Sequence, residues 1–345
     1  MSRPRAVALG GGHGLYVTLT ALRLLTESVT AVVTVADDGG SSGRLRGELG
    51  VLPPGDLRMA LTALAEGEPG EQWRELFQHR FGGTGALAGH AVGNLLLAGL
   101  VEVLGDPVAA LDQACRLLGV RGRVLPMSTE AVVIEGEVVG LGRDPEAVRR
   151  IRGQVAVAST PGRVRRVWLR PERPAACAEA VAAVREADVV LLGPGSWFTS
   201  VLPHLMVPEL RRALLDTPAR RVVVLNLAPQ PGETGGFSPE QHLDVLCQHA
   251  PDLRIDAVLA DRDAVPVPER LRQSAAALGA TAVLAPIGEP DGSARHNPAA
   301  LAEAVRSVLA DSDTMTSERD RRETGGGGNS GTRASSGREE NTRWR

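Results

Sequence analysis

The stretch from Ala6 to Arg46 constrains this chain more than any other. An apolar run over Ala6–Leu9 breaks into Gly10-Gly11-Gly12-His13-Gly14 and then into apolar residues at helical spacing. A second β-rich run, Val29–Val35, ends in Asp37-Asp38-Gly39-Gly40-Ser41-Ser42. Strand, glycine loop, helix, strand and acidic loop, in that order, open a nucleotide-binding α/β domain. Glycines let a phosphate come close to the backbone, and the N–H groups opening the next helix face it with the positive end of the helix dipole. An acid after the second strand can hold a ribose hydroxyl or a metal ion. The spacing G-x-G-x-x-G is broken, because Leu15 stands where the third glycine belongs. The loop therefore reads as a phosphate cradle rather than as a nicotinamide dinucleotide fingerprint.

Charge narrows the chemistry further. All 38 basic residues are arginine and none is lysine. A phosphate-binding loop that relies on a lysine is excluded, and so is Schiff-base catalysis. Anion recognition here must use arginine, helix N-termini and backbone N–H groups. A formal net charge of −3 gives no overall electrostatic footprint for nucleic acid. A mean hydropathy of −0.04 and the lack of a long apolar run argue against a membrane span. Met1-Ser2-Arg3-Pro4-Arg5 leads straight into the first strand, which leaves no room for a signal peptide and points to the cytoplasm. Cys115, Cys177 and Cys247 are far apart and read as buried free thiols of a reducing compartment. The histidines include no closely spaced ligand pair, so zinc is not expected.

Along the chain, strand-like and helical patterns alternate. Strands are expected at Ala6–Leu9, Val29–Val35, Val189–Leu192, Val222–Leu225, Ala257–Leu259 and Ala282–Leu284. Helices are expected between them, including His90–Leu104, Ser200–Leu215 and Pro298–Leu309. Residues of about 121–170 differ: Arg123–Leu125, Ala131–Ile134, Glu137–Val139 and Val164–Leu169 read as short strands. The expected fold is α/β, a Rossmann-like three-layer core with a mostly parallel sheet and a small β-rich insertion, over 1–310. From Asp311 to Arg345 the chain is polar, glycine-rich and nearly free of apolar residues, the composition of a disordered tail.

Ligands of open α/β sheets bind beyond the carboxyl ends of the strands. The loop Asp37–Arg44 offers carboxylates for Mg²⁺, or hydroxyls and N–H groups for a phosphate. A capped, solvated turn would look the same. Gly193-Pro194-Gly195-Ser196 forms a second strand–glycine–helix junction, suited to a phosphate or a sugar, or simply to a tight turn. The next strand ends in Asn226-Leu227-Ala228-Pro229-Gln230-Pro231-Gly232-Glu233-Thr234, which brings amide, acid and hydroxyl groups to the same edge. His90 and Asn94 lie four residues apart near a helix start. Arg295 precedes a helix start, where its charge has the unfavourable sign unless it meets an anion.

These segments together resemble one family. GGGHGL, TVADDGGSSGRLR, PPGDLR, FQHRF, GHAVGNLLLAGL, RGRVLPMS, GPGSWFTSVLPHLMVPEL, NLAPQPGET and RHN run in the order found in the gluconeogenesis-factor family, UDP-sugar-binding relatives of 2-phospho-L-lactate transferase. The resemblance spans Ala6 to Leu309. It implies a cytoplasmic regulator that binds UDP-N-acetylglucosamine and supports cell shape and wall-precursor synthesis on gluconeogenic carbon sources. It also implies a homo-oligomer, and a link to the amidotransferase that forms glucosamine phosphate. The contacts it implies fall on Gly12, Gly14, Asp37, Asp38, Ser41, Ser42, Asn94, Gly195, Ser196, Asn226 and Arg295. A metal, if used, would fall on Asp37 and Asp38. Two positions depart from the family pattern: His13 replaces a threonine, and Gly235 replaces an aspartate. The transferase relatives imply an alternative, Mg²⁺-dependent transfer of a phospholactyl-type group to a deazaflavin. At 3% aromatic, this chain has little to offer a large flat ring.

Overall fold

The structure, a computed structural model, describes residues 4–310, so the tail expected from Asp311 onward lies outside the described residues. The chain opens with β1 (Ala6–Gly10), α1 (Gly12–Arg23) and β2 (Val29–Val33). Five helices follow: α2 (Gly40–Leu49), α3 (Pro54–Leu64), α4 (Gly67–Gln78), α5 (Val92–Leu104) and α6 (Pro107–Leu117). Next come β3 (Arg123–Pro126), β4 (Val133–Val139), β5 (Arg149–Arg152), α7 (Gln154–Ala158) and β6 (Arg163–Arg170). A regular alternation completes the core: α8 (Ala178–Glu186), β7 (Val189–Leu192), α9 (Pro208–Asp216), β8 (Arg220–Val224), α10 (Pro239–His249), β9 (Ala257–Asp261), α11 (Pro268–Ala277) and β10 (Thr281–Ala285). A last helix begins at Pro298.

Seven strands form one parallel sheet in the order β10-β9-β8-β7-β1-β2-β3. Strands β1, β7 and β9 are buried along their whole length, as an unbroken apolar run covered on both faces requires. Leu9 pairs with both Val32 and Leu192, so the carboxyl ends of β1, β2 and β7 lie level. From β1 the chain moves outward to β2 and β3; from β7 it moves the other way to β8, β9 and β10. A crevice opens where the winding direction reverses. That reversal sits between β1 and β7.

Several boundaries differ from the sequence expectation. Arg123–Leu125 is not part of the insertion: β3 pairs with β2 at the edge of the main sheet, with Val124 and Leu125 fully buried. The strands expected at Ala131–Ile134 and Glu137–Val139 are one strand, β4, running through Gly136. It pairs on either side with β5 and β6 in a small antiparallel sheet. The helix expected over Ser200–Leu215 is instead a π-helical turn (Trp197–Val201), a 3₁₀ turn (Leu202–Met206) and α9. Pro203 and Pro208 explain the breaks, since each removes a backbone donor and suits only the first turn of a helix. Cys115 and Cys177 are buried, but Cys247 is only partly so. Among the described residues no helix is long and apolar enough to cross a membrane.

Candidate functional site

Two glycine loops meet at the reversal point. A Cβ on Gly14 would stand 2.2 Å from the Pro194 carbonyl oxygen and 2.7 Å from the Gly195 Cα, so only glycine lets α1 and the β7 loop touch. Gly12 has φ +58°, a left-handed conformation that a side chain would strain. The N-cap residue of α1, Gly11, has no side chain to cap it, and the Asp56 carboxyl takes only the Gly12 N–H, which leaves the N–H groups after it to attract an anion. Asn226, at the end of β8, holds the second loop from both sides. Its Oδ1 accepts from the Gly195 N–H at 2.8 Å, and its Nδ2 donates to the Gly195 carbonyl at 2.8 Å.

These loops border a cavity of about 480 Å³ lined by His13, Gly14, Gly195, Asn226, Pro229 and Arg295, among others. Four of the sequence-expected positions, Gly14, Gly195, Asn226 and Arg295, thus share one crevice. Arg295 is exposed and donates to Asp291 at 3.0 Å and to Ser293 at 3.0 Å. An exposed pair of this kind contributes little, so an incoming phosphate can compete for the guanidinium. His13, which departs from the family pattern, lines the same wall. Gly235, the second departure, has open space around it.

An acidic group lies on the other side of the first loop. A Cβ on Gly11 would meet Asp56 Oδ2 at 2.5 Å, and one on Gly55 would meet Asp37 Oδ2 at 3.0 Å, so glycine permits the close packing on both sides. Burial pushes the Asp56 carboxyl up to about 7, and the neighbouring Asp37 charge adds to the rise; the Gly12 N–H and Arg58 oppose it. Asp56 lies in the PPGDLR segment and is not among the contacts that the family resemblance implies. Its local signal is a lone acid in the first turn of a mostly apolar helix, two residues before Arg58.

The sign of the pH effect follows. Between the ordinary carboxylate value and about 7, the folded protein keeps a proton on Asp56 that the unfolded chain has released. The Asp56 contribution to stability is therefore fully present below the ordinary carboxylate value and is lost progressively as pH rises from there to about 7. Asp56→Asn should flatten this slope, which thermal melts from pH 4 to 8 will read.

The remaining expected residues do not line that cavity, and each has partners within the protein. Ser41 and Ser42 are not in a loop; they lie in the first turn of α2 and are buried. Ser41 Oγ bonds His90 Nδ1 at 2.8 Å and accepts from Asn94 Nδ2 at 3.0 Å. Asn94 Oδ1 in turn accepts from Arg58 Nε at 2.9 Å, and Ser42 Oγ accepts from the Gly55 N–H at 3.0 Å. His90 precedes α5 instead of lying in it, yet it and Asn94 converge on the same hydroxyl. Ser196 and Thr199 donate to the buried carboxylate of Glu233, which ties the β7 loop to the segment after β8. Asp38 accepts from the N–H groups of Gln154 and Val155 at 3.0 and 2.9 Å, capping α7 of the insertion. Asp38→Ala should cost about 1 kcal/mol and speed hydrogen exchange in α7, with little loss elsewhere.

Comparison with known proteins fits this arrangement. The profile of the family described as 2-phospho-L-lactate transferase CofD matches residues 6–289. A Mycobacterium leprae protein, provisionally named a gluconeogenesis factor, is 60% identical over 311 residues, covering 89% of this chain and 86% of its own. The Bacillus subtilis gluconeogenesis factor is 40% identical over 264 residues, covering 76% of this chain and 80% of its own. A crystal structure of a Bacillus halodurans protein superposes with a TM-score of 0.79 at 36% identity, covering 88% of this chain and 99% of that one. Profile, sequence relatives and fold agree, and the chain belongs to the CofD family, among its gluconeogenesis factors.

Proposed function

We propose that this chain binds UDP-N-acetylglucosamine in the crevice between β1 and β7 and acts as a cytoplasmic regulator rather than through turnover of its own. The observation that carries this reading is the apposition of two glycine loops at the N-terminus of α1, with Arg295 on the rim. A diphosphate placed there would meet helix N–H groups and a guanidinium, the anion-binding means open to a chain without lysine. The wall from Asn226 to Pro231 would take the sugar or the base. Regulation of wall-precursor synthesis and cell shape during gluconeogenic growth, through the glucosamine-phosphate-forming amidotransferase, is the role this ligand suits. Assembly as a homo-oligomer belongs to the same proposal.

Asp56 favours a second reading, transfer of a phospholactyl-type group from a nucleotide diphosphate donor. Asp37 and Asp56 are paired carboxylates, one of them holding a proton near neutrality, and a divalent cation could replace that proton. Among the described residues no set of three or more His, Cys, Asp or Glu side chains could hold a metal ion. A Mg²⁺ ion would therefore use these two carboxylates together with water and phosphate oxygens, as it commonly does. When bound, it would neutralise phosphate charge. Calorimetry with UDP-N-acetylglucosamine, NADP and a deazaflavin acceptor, with product analysis after a phospholactyl-bearing nucleotide diphosphate donor and Mg²⁺ are added, separates the readings. The regulator reading expects binding of the UDP-sugar alone; deazaflavin binding with release of nucleotide would overturn it.

A further inference from the structure

The small antiparallel sheet carries a cavity that shares no lining residue with the crevice. By the two-residue period of its strands, one face bears Glu135 and Glu137 on β4, flanked by Arg150 and Arg152 on β5 and by Arg166 and Trp168 on β6. The other face, with Ile134, Val138, Val164 and Leu169, is buried. On the open face carboxylates are outnumbered. Glu137 lies 3.7 Å from Arg150 and 3.3 Å from Arg166; Glu135 lies 3.9 Å from Arg152 and 3.2 Å from Arg170.

Trp168 organises this array. Its indole N–H donates to Glu135 at 2.9 Å, which fixes the ring. The guanidinium carbons of Arg150 and Arg166 each lie 5.5 Å from the ring centroid, within cation–π range. Both guanidinium groups also meet the one Glu137 carboxylate through Nε. The cavity they border measures about 720 Å³, the size of a small-molecule site, and Met206 and His249 close its far wall. Its lining carries Arg150, Arg165, Arg166 and Arg170 against Glu137 and Glu172, an excess of two positive charges. His249 adds none: burial lowers its pKa, and Nδ1 bonds the Val245 carbonyl. Arg165 has no ion-pair partner among the described residues.

We propose that this cavity is a second binding site, for a small phosphorylated compound carrying at least two negative charges. The excess charge sets the ligand's minimum charge, and the planar guanidinium forks suit phosphate oxygens bound in pairs. Trp168 lowers the ordering cost by holding two of the forks in place.

The test uses the full chain with the crevice weakened by Arg295→Ala. Pyrophosphate, ATP and citrate are titrated by calorimetry into this protein and into versions that also carry Arg150→Ala, Arg165→Ala or Arg165→Lys. Each alanine change should weaken pyrophosphate or ATP binding about tenfold, and Arg165→Lys should recover part of it. Thermal melts check that each variant is folded. Equal binding of pyrophosphate and ATP identifies a bare phosphate group as the ligand chemistry, and preference for ATP identifies a nucleotide; both support the site. Unchanged affinity in the alanine variants overturns it, as does citrate binding as tightly as pyrophosphate. A single-stranded RNA oligonucleotide bound more tightly than either, and lost in the same variants, would replace it with a nucleic-acid surface. Arg295 lies outside this cavity, so failure of the UDP-sugar reading leaves these outcomes unchanged.

Discussion

Gly14→Ala is expected to cost more than any other single-atom change at the crevice. The added methyl would stand 2.2 Å from the Pro194 carbonyl oxygen, where the obstacle is backbone and cannot swing aside. Either α1 or the Gly193–Ser196 loop must shift. Overpacking of this kind destabilises by about 1–3 kcal/mol. The same shift would take the α1 N–H groups away from a diphosphate. Losing two phosphate hydrogen bonds, each worth roughly 1.5–3 kcal/mol, would weaken UDP-N-acetylglucosamine binding about 100-fold or more. Gly235→Ala is the matched control, because nothing lies within 4 Å of the added atom. Thermal melts and calorimetry on both variants decide it: loss of stability and affinity in the first, neither in the second.

Arg295→Ala should separate affinity from stability. The side chain is exposed and its ion pair with Asp291 is local, so the fold loses little when it is removed. A charge-assisted bond to a phosphate contributes roughly 1.5–3 kcal/mol, which corresponds to a 10- to 100-fold weaker complex. Arg295→Lys should restore only part of the loss if the contact is bidentate. Equal affinity across wild type and both variants, with unchanged melts, would make Arg295 a surface residue with no part in binding.

The architecture was legible because the central strands bury both faces and so appear as unbroken apolar runs. Strands β1, β7 and β9 are of this kind. Strand β5, with the sequence Arg149-Arg150-Ile151-Arg152, has no apolar pattern to read; its backbone bonds to β4 hold it in place. The start of α2 escaped notice for a similar reason. Gly40, Ser41 and Ser42 favour turns by propensity, but Leu45 and the buried hydroxyls tie the helix to its neighbours.

The grouping of candidate residues was legible where loop position decides it and obscure where side-chain partners decide it. Gly14, Gly195 and Asn226 follow strands whose ends the sheet register brings level, so loop position alone placed them together. Asp38 shows the opposite case. Its partners stand 116 and 117 residues away in the insertion, and no local pattern announces that an acid after β2 caps a distant helix. Asp56 was hidden because its raised pKa comes from burial and from Asp37, two properties of the packed chain.

The most direct measurement is a crystal structure of the protein with UDP-N-acetylglucosamine. The predicted result places the diphosphate against the N–H groups of His13 and Gly14 and beside Gly195, with the Arg295 guanidinium on a phosphate oxygen. A diphosphate found instead among Arg150, Arg165 and Arg166 on the small sheet, with the crevice between β1 and β7 free of ligand, would contradict it.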